Sequence, residues 1–207
     1  HTITFKGDII NNGTINFATD ALSLCNSTFT KSGNQTVSGS GATTTFNRIT
    51  LNMGTLLANT LEITTPTFVA ASNYLTLTTG TFKLSTSGAS VSTPYSAAGN
   101  IPLKGALWLN SAASTMSIGD GTTIFGELNV SNGTLNAGNA ANEDLLSNGG
   151  KLTVSGGTLN VAGKYYSVGI NNLSKVTMTG GTVIVPSVGS TNTTIAPFQI
   201  AGTGSQF

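Results

Sequence analysis

Charge is what this chain has least of. Only 7% of its 207 residues are Asp, Glu, Lys or Arg, and the formal net charge is +1; about a quarter charged is usual for a soluble domain. A nucleic acid or an anionic membrane surface needs a cationic patch. With a net charge of +1 there is no electrostatic case for either, so no nucleic-acid partner is expected. The one cysteine, Cys25, excludes an internal disulfide; beside Leu22 and Leu24 it reads as a buried apolar filler of a strand. The sole histidine is His1, which leaves no Ser-His-Asp triad and no zinc ligand set. Apolar runs are far too short to span a bilayer, so no membrane insertion is expected. Helix signals are almost absent, and no Gly-rich step opens a helix that could cradle phosphate.

The missing charge is replaced by Thr, Ser, Asn and 26 glycines, and these are organised. Lys151-Leu-Thr-Val-Ser-Gly-Gly-Thr-Leu-Asn-Val161 returns 24 residues later as Lys175-Val-Thr-Met-Thr-Gly-Gly-Thr-Val-Ile-Val185. It is preceded at the same distance by Glu127-Leu-Asn-Val-Ser-Asn-Gly-Thr-Leu-Asn-Ala137. Within a copy, Leu152, Val154, Leu159 and Val161 alternate with Thr153, Ser155 and Asn160. That is strand periodicity with one apolar face, and the central glycine lets the chain bend. Aligning on glycine extends the series to Gly13, Gly33, Gly54, Gly80, Gly105, Gly133, Gly157 and Gly181.

A repeat of 20–28 residues with strand periodicity predicts one coil of a β-solenoid. The expected architecture is all-β, a right-handed parallel β-helix of eight to nine coils; the rivals are a two-sheet sandwich and a β-propeller, whose longer blades and signatures are absent. Residues 85–103, rich in Ser, Ala and Gly with Pro94 and Pro102, are expected to project from the rod as a loop. The whole chain is expected to be a single array and a segment of a longer protein.

Three constellations could carry chemistry. Asp120 and Asp144 each precede their Gly-Thr glycine by the same number of residues, so they should stack one coil apart with Glu143 alongside. Turn formers surround them, which favours a turn role; the alternatives are a calcium site or a carboxylate pair for polysaccharide cleavage. No other cofactor is expected. Tyr95, Trp108, Tyr165 and Tyr166 could stack on sugar rings if exposed. Outward Thr, Ser and Asn residues, from Thr50 and Asn52 through Thr76 and Thr78 to Thr153, Ser155, Thr177 and Thr179, would form ladders. Such ladders occur on ordinary solenoid surfaces and on ice-binding ones.

The stretch Gln35-Thr-Val-Ser-Gly-Ser-Gly-Ala-Thr-Thr-Thr-Phe-Asn-Arg-Ile-Thr-Leu-Asn52, followed by Leu75-Thr-Leu-Thr-Thr-Gly-Thr-Phe82, resembles the repeats of very large secreted surface adhesins of Bacteroidota exported by the type IX system. More distantly it resembles autotransporter passenger domains. The resemblance implies a β-helical stalk or display rod at the cell surface and supplies no catalytic residues. The expected function is a non-enzymatic structural or adhesive segment, with a carbohydrate-active, carbohydrate-binding or ice-binding solenoid as the alternative. Expected partners are neighbouring domains of the same polypeptide and surface glycans.

Overall fold

The computed structural model describes residues 1–18, 24–169, 174–191 and 198–201, and every regular element among them is a β-strand. The strands fall into successive coils. The first is β1 (Thr2–Phe5), β2 (Ile9–Ile10) and β3 (Thr14–Asn16); the second is β4 (Asn26–Phe29), β5 (Gln35–Ser38) and β6 (Thr43–Phe46). The third is β7 (Arg48–Asn52), β8 (Thr60–Ile63) and β9 (Thr67–Ala70), and the fourth is the bent β10 (Leu75–Leu84) with β11 (Val91–Tyr95). Next come β12 (Asn100–Ile101) with β13 (Gly105–Ile118), and β14 (Thr122–Ile124) with β15 (Glu127–Ala137). Two three-strand coils follow, β16 (Leu145–Ser147), β17 (Lys151–Val154) and β18 (Thr158–Val161), then β19 (Lys164–Ser167), β20 (Ser174–Met178) and β21 (Thr182–Ile184). β22 (Ser187–Ser190) and β23 (Phe198–Ala201) begin another turn.

Every ladder between these strands is parallel, and each joins a strand to its counterpart one coil away. The fold is therefore a parallel β-solenoid of about eight coils, as the repeat predicts. Parallel strands joined by crossovers wind right-handedly as a rule. At about 4.8 Å per coil the stack is roughly 40 Å long.

Register puts like on like. Phe82, Leu107, Leu128, Leu152 and Val176 form one inward column, and Leu84, Leu109, Val130, Val154 and Met178 form the next. All ten are buried. The early coils are filled with rings instead: Phe5 stacks on Phe29 at 5.2 Å, and Phe46 bridges Phe17 and Phe68 at 5.2 and 6.0 Å. Such pairs add to the area they bury.

The glycine series of the repeat resolves into separate columns. Gly80 pairs with Gly105, and the register carries that corner on to Gly126 and Gly150. Gly133, Gly157 and Gly181 stack at a different corner, with φ of +85°, +68° and +75°. A Cβ on Gly157 would stand 2.6 Å from the Gly133 carbonyl oxygen, so both the backbone angle and the close stacking require glycine there. Gly13, between β2 and β3 and packed against Gly41, lies by strand order at this same corner. A single alignment on Gly-Thr therefore joins corners that the fold keeps apart.

Residues 85–103 do not project as expected. They carry β11 and β12, which pair with β13 and β14, and Ser90, Ser92, Tyr95 and Ile101 are buried. The segment is solenoid wall whose inward positions are partly polar. Thr86, Ser111 and Ser114 satisfy one another inside it, with hydroxyl separations of 2.7 to 3.0 Å. Residues 96–98 and Asn100 are exposed at the corner between β11 and β12. Cys25 also departs from expectation: it lies just before β4, half-buried rather than in the core.

Candidate functional site

The carboxylate constellation assembles at the corner between the face carrying β13, β15 and β18 and the face carrying β14, β16 and β19. Asp120 and Asp144 stack as the spacing predicts: the Asp144 amide donates to Asp120 Oδ1 at 2.8 Å. The Lys164 amide of the following coil donates to Asp144 Oδ1 at 2.7 Å. The same device recurs far away, where Asp8 accepts from the Thr36 amide, Asn12 from Ser40 and Asn34 from Thr60. Each side chain satisfies a backbone donor one coil on, which is the turn role. Glu143 Oε2 accepts the Asn139 amide within its own corner. Among the described residues no cluster of three or more His, Cys, Asp or Glu side chains is placed to hold a metal ion.

The aromatic candidates do not form a sugar platform. Tyr95 and Tyr165 are 6% and 4% exposed and pack in the core. Burial raises the hydroxyl pKa of both; Tyr165 reaches about 12, with a hydrogen bond to Ser147 partly offsetting the rise. Tyr166 is half-buried, and its ring lies so close over Gly189 that a Cβ there would meet it at 2.5 Å. Trp108 points outward between buried Leu107 and Leu109, but one ring face is taken by Lys83, whose ammonium sits 4.2 Å from the ring centroid. Its indole N–H donates to Ser131 at 2.8 Å. Lys83 also pairs with Glu62 at 2.9 Å. Burial raises the Glu62 carboxyl, but hydrogen bonds from Lys83 and Ser85 and the Lys83 charge outweigh it and hold the group below its ordinary value.

The outward ladders are real but discontinuous. Thr4, Thr28, Thr50 and Thr76 form one column; Asn129, Thr153 and Thr177 form another that runs back to Trp108 and Lys83. They occupy different faces because β10 bends between them, pairing with β7 before Gly80 and with β8 after it.

Sequence reasoning missed the groove beside the carboxylates. A cavity of about 800 Å³ spans several coils at this corner. Its floor includes Ser117, Asn136 and Asn160, which pair in register on β13, β15 and β18. Its lip arises from corner length. The turn between β15 and β16 takes residues 138–144, whereas the equivalent turns take only 119–121 and 162–163. The lip starts at Gly138, with φ +76° and the Glu143 Cβ 2.6 Å from where its own Cβ would be. The only sequence signal was the Asn-rich run after Ala137. No protein-family model, curated protein or solved structure matches the chain.

Proposed function

We propose that this chain is a non-enzymatic segment of an extracellular bacterial surface protein, serving as a stiff stalk or display rod with adhesive capacity. The observation that supports it best is the parallel pairing that joins each coil to the next on at least one face, which resists bending because each coil is fixed by its neighbours. A surface of hydroxyls and amides with 7% charge suits an extended exterior structure. The acidic residues support this reading too, since Asp120, Asp144 and Glu143 each commit an oxygen to holding the backbone. Neighbouring domains of the same polypeptide are the natural partners of such a rod.

The test is to incubate the purified chain with a panel of polysaccharides, with and without calcium, and to follow product release. A parallel digestion with a broad-specificity protease reports on the rod. The expected result is no new reducing or unsaturated ends and a chain that survives digestion largely intact. Release of sugar products that disappears in Asp120→Asn or Glu143→Gln would overturn the non-enzymatic reading.

A further inference from the structure

We propose that the corner groove is a binding site for a neutral glycan, with Asn136 and Asn160 on its floor and Glu143 on its lip supplying the hydrogen bonds. The site rests on the non-enzymatic reading in one respect: its carboxylates accept hydrogen bonds from sugar hydroxyls and do no acid–base work.

Size comes first. A groove of about 800 Å³ falls in the range of small-ligand sites and admits several sugar rings. The chemistry of the floor comes next. Asn160 Nδ2 donates to Asn136 Oδ1 at 2.9 Å. This leaves the Asn136 amide nitrogen and the Asn160 amide oxygen without a protein partner among the described residues. A donor and an acceptor thus stand at the two outer ends of the bonded amide pair, further apart than the coil spacing of about 4.8 Å. A sugar hydroxyl both donates and accepts, so two neighbouring hydroxyls complement such a pair. On the rim, Glu143 holds the Asn139 amide with Oε2 and Asp120 holds the Asp144 amide with Oδ1. The second oxygen of each carboxylate has no protein hydrogen-bond partner among the described residues.

Sign and shape narrow the ligand. Asp120 and Glu143 line the groove, and among the described residues no Lys or Arg does. Uronic acids, sulfated sugars and phosphates would meet uncompensated negative charge, so the ligand is neutral. Ala97, Ala98 and Ala162 give the lining an apolar part, and their small side chains suit the C–H face of a ring. Protein–sugar contacts of this kind need both parts, directional polar groups and an apolar patch. The aromatic stacking expected from Tyr95 and Tyr165 is replaced by amides and carboxylates, because both rings are inside the rod.

The experiment is a binding measurement on the whole chain against immobilised neutral hexasaccharides (gluco-, manno-, xylo- and N-acetylglucosamine series), beside polygalacturonate and heparin fragments. At least one neutral series is expected to bind and the anionic ones are not. The double variant Asn136→Ala/Asn160→Ala should weaken binding about tenfold with an unchanged circular dichroism spectrum, since both side chains lie on the outer face. Thr50→Ala, on another face, should leave binding intact. Failure of every neutral series at millimolar concentration, preference for the anionic sugars, or undiminished binding by the double variant would overturn the site. Cleavage of a bound sugar, with binding lost in the double variant, would uphold the site and overturn only the non-enzymatic reading.

Discussion

Three of the four tyrosines hold their hydroxyls inside the rod, where ionisation is costly. Tyr74 is wholly buried and Tyr95 and Tyr165 nearly so. Burial raises all three above the ordinary phenol value, Tyr165 to about 12 and Tyr74 and Tyr95 further. In the unfolded chain these groups lose their protons near pH 10. Below that pH the folded and unfolded states hold the same protons and the buried phenols cost nothing further. Above it the unfolded state binds fewer, so stability falls as pH rises. Tyr165 reaches its limit near pH 12, and Tyr74 and Tyr95 continue the decline beyond. The chain should therefore unfold cooperatively in alkali. Tyr74→Phe should reduce the slope of stability against pH by about 1.4 kcal/mol per pH unit above pH 10. Ultraviolet absorbance gives a direct check: phenolate signal from all four tyrosines near pH 10, with the fold intact, would contradict the buried assignment.

At the scale of the element, the recurring device is an Asp or Asn in a corner that accepts an amide from the next coil. Asp144 both receives this support and gives it: its amide donates to Asp120 and its carboxylate accepts from Lys164. Asp144→Ala should destabilise the chain by about 1–2 kcal/mol, the cost of one charge-assisted bond at a partly exposed corner. Asp144→Asn, which keeps an acceptor, should cost less. Denaturant titration distinguishes them, and equal losses would mean that the bond is not what the aspartate supplies. This vertical stacking was legible in the sequence, as were the columns of Leu128, Leu152 and Val176, because apolar alternation and spacing both repeat. β11 was not legible. Ser90, Ser92 and Pro94 face inward there, so the alternation that marks a strand is polar on the buried side, and hydroxyl pairs such as Thr86 with Ser111 replace apolar packing. The tyrosines misled for the opposite reason. In Lys164-Tyr-Tyr-Ser167 one ring faces in and the next out, and composition alone cannot say which. The groove was hidden because it depends on corner length across several coils, a quantity no single repeat contains.

At the scale of the molecule, stability should be a sum over coils and the contacts between neighbours, because every ladder joins adjacent coils. The register supplies a sharp test. Thr134 pairs with Thr158 one coil away, and Glu127 pairs with Lys151. Removing Thr134–Gly157 would join Gly133 directly to Thr158, the residue that already occupies the equivalent position. β15 would then lead into β19 through the retained β18. Its first half would take over the pairing that β17 gave to β20, and Leu128 and Val130 would meet Val176 and Met178. Those pairs are apolar on apolar, so the shortened chain should fold and unfold cooperatively. Its denaturant slope should fall roughly in proportion to the surface removed. Removing only Thr134–Leu145 would bring a corner against a strand and should abolish folding. The whole-coil deletion also takes away the lip from 138 to 144 and Asn136, so it should eliminate glycan binding while leaving the rod. Circular dichroism and urea titration on the two deletions decide the matter. If the whole-coil variant is as unfolded as the half-coil one, the coils are not interchangeable neighbours, and the stiffness argued for the rod needs a source other than repeated pairing.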